Sequence, residues 1–124
     1  MSKTMTLVEF LEARLAEDEL IAGAAIEGAA DWQALYTYRD VKDSDGRYVI
    51  LADSRYPTIE QAAHIARYNP ARILRQCEAT RAIIGEFLHL DALGDLSGRS
   101  AAENALRQLA MVHADHPDFA EDWI

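Results

Sequence analysis

The dipeptide Asn69-Pro70 constrains this chain more than any other feature. Proline pushes the residue before it out of the α region, asparagine is a strong N-cap, and proline suits the first position of a helix. One helical pattern must therefore stop there and another must start. The surrounding stretch, Glu60 to Arg81, holds His64 and four of the chain's ten arginines: Arg67, Arg72, Arg75 and Arg81.

Upstream of this corner, Thr6 and Glu9 have the spacing of a capping box, with threonine accepting from the backbone and glutamate reaching back. Leu7, Phe10, Leu11, Leu15, Ala22, Ala25 and Ile26 follow as an apolar stripe at helical spacing. Gly23 and Gly28 each weaken a helix by about 1 kcal/mol relative to alanine. The first helix is thus expected to fray or stop by about Gly28 to Asp31. Trp32 to Val41 is rich in aromatics and Arg47 to Asp53 in β-branched residues. Between them, Lys42 to Gly46 reads as a turn in which Gly46 takes a positive φ, so one β-hairpin is expected. Thr58 with Gln61 caps a short helix that runs to the Asn69-Pro70 break.

Beyond the break, a longer helix carries Ile73, Leu74, Cys77, Ile84, Phe87 and Leu88 and ends around His89 to Asp91. Leu93 to Gly98 reads as a loop. Ser100 with Glu103 then caps a last helix bearing Ala105, Leu106, Leu109, Ala110 and Val112. The expected fold is α+β and mostly α: about four helices, with one β-hairpin inserted after the first. A chain of 124 residues suffices for a single domain. Residues 1–5 are expected to be disordered, and 113–124 to form a C-terminal tail packed on the core.

Charge narrows the range of functions. Twenty-one acids against twelve bases give a net charge of −9, which opposes non-specific binding to nucleic acid and to anionic membranes. The imbalance is uneven. Leu7 to Asp31 holds seven acids against Arg14 alone, and His113 to the end holds four acids and no base. The arginines between them are expected to be matched by carboxylates, of the same chain or of a second copy, or simply to solvate exposed faces. No apolar run approaches the length needed to span a bilayer. The start of the chain lacks the apolar segment of a secretory signal. The one cysteine, Cys77, forms no internal disulfide and falls on a helix stripe, as a buried thiol would. These features describe a cytoplasmic protein.

Candidate chemistry is sparse. His113, Asp115 and His116 lie close together near the end of the last helix, and His64 could add a third element, so imidazole and carboxylate could meet on zinc or manganese. The competing account places His113 at a helix C-terminus, where a cation is favoured, and makes His64 a hydrogen-bonded structural histidine. Glu9 with Glu12 and Glu17 with Glu19 lack a matching acidic pair on a second helix. There is no glycine-rich phosphate loop and no nucleophile elbow. The two helices meeting at Asn69-Pro70 also suggest a helix-turn-helix, with Arg72, Arg75, Gln76 and Arg81 facing DNA. Against this, the turn is short, it lacks glycine, and the chain is acidic.

Three blocks, Leu7 to Glu19, Ala62 to Arg75 and Leu106 to Trp123, with Trp32 and Asp45 to Val49 between them, carry a resemblance. Together they resemble a family of small actinobacterial and actinobacteriophage proteins of unknown function. Longer members carry a Cys- and His-bearing insertion between the long helix and the last one. Here Glu86 to Asn104 has only His89, so no metal knuckle carries over. The resemblance implies an actinobacterial or phage origin and no particular activity. The expected function is that of a non-enzymatic accessory protein of phage or prophage type, with no cofactor. It would act by contact with a host or phage protein and self-associate, as a dimer first of all. Its polar contacts would come from Arg67, Arg72, Arg75 and Arg81, and its aromatic ones from Trp32, Tyr36, Tyr38 and Tyr48. A DNA-binding regulator and a metal-dependent hydrolase are the competing readings.

Overall fold

The computed structural model describes residues 5–35 and 38–124. The expected disorder of residues 1–4 and the contact role of Tyr36 therefore fall outside the described residues. Four helices and a three-stranded antiparallel sheet after the first of them make the chain mostly α with a small β part. The chain forms two compact units. One comprises the residues up to Glu17 together with Cys77–Ile124, and the other Asp18–Gln76.

Helix α1 spans Leu7–Ala24 and opens on the expected reciprocal cap: the Glu9 amide donates to Thr6 Oγ1 and the Thr6 amide to Glu9 Oε1, both at 3.1 Å. Its N-terminal half supplies Leu7, Phe10, Leu11 and Leu15 to the core of the first unit, with Cys77, Ile84, Leu106, Ala110 and Trp123. Full burial of each large apolar side chain contributes about 1.5–3 kcal/mol. Phe10 is fully buried, and the C-terminal segment is arranged around its ring: Trp123 at 5.0 Å, His116 at 5.7 Å, Phe119 at 6.0 Å and His113 at 6.1 Å between centroids. Helix α3 spans Pro70–Leu93 and helix α4 spans Leu96–Ala110. The loop expected over Leu93 to Gly98 shrinks to Gly94 and Asp95. Gly94 takes φ +72° and ends α3, and the Asp95 carboxylate accepts the Gly98 amide at 3.0 Å to start α4. The cap is thus Asp95 rather than Ser100, and α4 begins a turn earlier than its apolar stripe suggests.

In the second unit, β1 (Trp32–Ala34), β2 (Val41–Asp43) and β3 (Tyr48–Ile50) pair antiparallel in that order. The expected single hairpin is corrected to two. Between β1 and β2, Arg39 takes φ +60° and the Leu35 amide donates to Asp40 O at 2.9 Å. The Arg39 guanidinium donates to the carbonyls of Pro57 (2.9 Å) and Asp53 (2.6 Å), which gives this left-handed residue tertiary support. Gly46, at φ +85°, makes the β2–β3 turn as expected.

Helix α2, Ile59–Arg67, starts on the Thr58–Gln61 capping box, with both bonds present. Ala62 and Ala66 of α2 pack on Val41, and Trp32, Ala34, Val49, Ile50 and Ile65 close around them. Asn69 turns the chain from α2 into α3. Its buried side chain donates to Ala66 O at 3.0 Å and accepts the Arg72 amide at 3.0 Å, as the sequence implied for an N-cap before Pro70.

Candidate interaction groove

The side chains of Trp32 and Ala34 face α2 across the small core, and beside them an open groove of about 860 Å³ runs between β1 and α2. Its walls are Trp32, Gln33 and Ala34 on the strand side and Ala63, His64 and Arg67 on the helix side, with Tyr68 and Asn69 at one end. Alanines at 62, 63 and 66 keep this stretch of α2 slim, so helix and strand approach closely while leaving the groove open. His64 and Tyr68 stack one helical turn apart, with centroids 4.7 Å apart and a tilt of 38°. The Arg72 guanidinium lies over the other end of this pair, 4.6 Å from the Tyr68 ring centre. The geometry is that of a cation–π contact.

The four arginines expected to find carboxylates do not share one fate. Arg81 pairs with Glu12 at 3.7 Å, within the first unit. Arg67, Arg72 and Arg75, all in the second unit, have no carboxylate partner among the described residues. For those three the expected match within the chain is absent. Of the aromatic candidates, Trp32 is half-buried in the groove wall, Tyr38 is exposed, and Tyr48 is exposed with Lys42 Nζ 4.5 Å above its ring. The residues that the sequence reading missed are Gln33, Ala34, Ala63 and Tyr68. The one signal available for them was the small-residue run on α2 opposite an aromatic strand.

Two carboxylates hold the loops of this unit. Burial works to raise the pKa of Asp43, but amide hydrogen bonds from Ala29 (3.0 Å), Arg47 (2.9 Å) and Asp45 (3.0 Å) outweigh it, with the Arg47 charge adding to them. The carboxyl ends below its ordinary range. Asp53 is lowered by amides of Tyr56 and Arg55, both at 2.7 Å; burial opposes them and Arg39 assists. These carboxylates are anchors: Asp43 accepts backbone amides at both oxygens and Asp53 accepts two at Oδ1.

The histidine cluster is arranged for packing. His113 and His116 meet the Phe10 ring in near-perpendicular, T-shaped contacts. His116 Nδ1 accepts the Asp118 amide at 3.0 Å, and its Nε2 meets the guanidinium of Arg14. Asp115 is exposed, and His64 belongs to the other unit. Among the described residues, no group of three or more His, Cys, Asp or Glu side chains is placed to hold a metal ion. Among the same residues no helix is long and apolar enough to cross a membrane.

A family model described as "Family of unknown function (DUF6221)" matches residues 4–124. No curated protein and no solved structure matches the chain.

Proposed function

The chain belongs to this family of unknown function, and we propose that it is a non-enzymatic contact protein whose groove side engages an acidic partner. We place it in the cytoplasm of an actinobacterial host, as an accessory protein of phage or prophage type. One observation carries the contact reading: in a chain with twenty-one acids, Arg67, Arg72 and Arg75 have no carboxylate partner among the described residues. Arg67 lines the groove and Arg72 lies over Tyr68 at its end, and cations so placed favour a partner that brings the opposite charge. Self-association, as a dimer, is supported by Leu20 and Ile21 on α1, exposed at 73% and 69%. They stand beside a depression of about 350 Å³ lined by Ile21, Ala22, Ala25, Trp32, Tyr68 and Ile73, among others.

Two measurements test the reading. Light scattering over a wide concentration range should give a mass above that of the monomer; a strict monomer removes the self-association. Pull-down from an actinobacterial host should retain a protein that is lost when Arg67, Arg72 and Arg75 are all changed to glutamate. An unchanged set of retained proteins would overturn the contact reading. The same unmatched arginines are the one observation favouring a DNA-binding regulator, with Arg72 and Arg75 a helical turn apart near the start of α3. A gel-shift assay at low salt in which duplex DNA is retained by the protein, and released by the triple variant, would decide for that alternative.

A further inference from the structure

Among the described residues, the backbone groups on the edge of β1 that faces the groove have no hydrogen-bond partner. β1 is an outer strand of the sheet, paired with β2 on one side only. Leu35 donates to Asp40 O and Ser44 to Asp31 O, both at 2.9 Å, and β1 and β2 pair in register Trp32 to Asp43, Gln33 to Lys42 and Ala34 to Val41. Hydrogen-bonded and non-hydrogen-bonded pairs alternate in an antiparallel ladder. The bonded pairs therefore fall at 31–44, 33–42 and 35–40, and Gln33 is the residue whose backbone is turned towards β2. The N–H and C=O groups of Trp32 and Ala34 point the other way, along the side that the groove occupies. Edges of this kind serve as templates for a further strand.

We propose that the groove accepts an extended acidic peptide segment of another protein, which adds along β1 as a fourth strand. This inference rests on the contact reading above and names the partner's chemistry. Dimensions fit: β1 is about 10 Å long and α2 about 13 Å, room for three or four extended residues. Alternate side chains of an added strand would turn to the side of the sheet on which α2 packs, towards Ala63, His64 and Arg67. Ala63 leaves space, and Arg67, with no carboxylate partner among the described residues, supplies the charge that favours an acid opposite it. A second copy pairing β1 to β1 is disfavoured by the same residues, because the two-fold arrangement would gather both copies of Arg67 and Arg72 at one junction.

The test uses a fluorescein-labelled hexapeptide alternating glutamate with threonine, a version with lysine for glutamate, and a glutamate version N-methylated at alternate residues. On the nitrogen-15-labelled full chain, the glutamate peptide is expected to shift the amide signals of Trp32 and Ala34 and slow their exchange with solvent. N-methylation removes backbone donors and should weaken binding about tenfold or more, as should Arg67→Glu, and the lysine peptide should not bind. Ala34→Pro removes one groove-facing N–H while leaving the ladder to β2, and should weaken binding with the amide spectrum of the sheet otherwise kept. If the glutamate peptide binds and Arg67→Glu releases it, but N-methylation is tolerated and the Trp32 and Ala34 amides stay unmoved, strand addition is overturned while the acidic-contact reading stands. Failure of the glutamate peptide to bind, or retention of single-stranded DNA in its place at the same groove, overturns the proposal outright. It overturns the contact reading too if the pull-down shows no arginine-dependent partner.

Discussion

The guanidinium of Arg14 sits between the carboxylate of Glu17, 3.0 Å away, and Nε2 of His116, 102 residues further along the chain. It is almost wholly buried, 5.2 Å from the Phe10 ring centre, and its Nε has no hydrogen-bond partner among the described residues. A neutral imidazole has one lone pair to give, yet His116 meets both this guanidinium and the Asp118 amide. The ring can accept fully from one of them at a time.

The first prediction follows from that geometry. Arg14→Ala removes packing against Phe10 as well as the ion pair and should destabilise the chain by about 2–4 kcal/mol in urea unfolding. Arg14→Met keeps the volume and leaves no buried charge, so it should cost less than half as much. Equal losses for the two variants would mean that the charge, not the packing, holds the C-terminal segment down.

Asp43 makes stability depend on pH. Its folded pKa lies below the unfolded one, so its contribution is present above the unfolded pKa and disappears as pH falls through the folded value. Melting temperatures measured from about pH 7 down to about pH 3 should fall, and Asp43→Asn should flatten the fall while lowering the plateau. Asp53, lowered for the same kind of reason, contributes with the same sign.

Gly28 and Gly85 should respond oppositely to alanine. A Cβ at Gly28 would stand 2.4 Å from Asp43 Oδ2 and 2.7 Å from Arg47 Cδ, whereas one at Gly85 meets nothing within 4 Å. Gly28→Ala should cost about 1–3 kcal/mol. Gly85→Ala, inside α3, should gain up to about 1 kcal/mol. Chemical denaturation of the two single variants checks both signs.

The start of α4 can be located by its cap. Asp95→Ala should cost about 1 kcal/mol in the same assay, and Ser100→Ala close to nothing. The reverse order would restore the later start that the Ser100–Glu103 spacing suggested.

These contrasts show which features the sequence carried. The Thr6–Glu9 and Thr58–Gln61 boxes and the Asn69-Pro70 corner are local hydrogen-bonding patterns, and all three were legible from spacing. The second hairpin was not, because it turns on Arg39 adopting a positive φ with support from Pro57 and Asp53, more than a dozen residues away. α4 was misplaced because Asp95 precedes residues with no apolar stripe. The groove was half legible: its arginines and Trp32 stood out, but the unused edge of β1 emerges only once register is known. Arg14 was read as the lone base among seven acids, and nothing in its neighbours along the chain announced burial against a histidine near the other end.

Asn69 ties the last turn of α2 to the first turn of α3 through both ends of one side-chain amide. The backbone positions from which Arg67 and Arg72 extend are accordingly set before any visitor arrives, like the pitch of a comb's teeth. A ligand that docks there has no corner left to order, only the arginine side chains themselves.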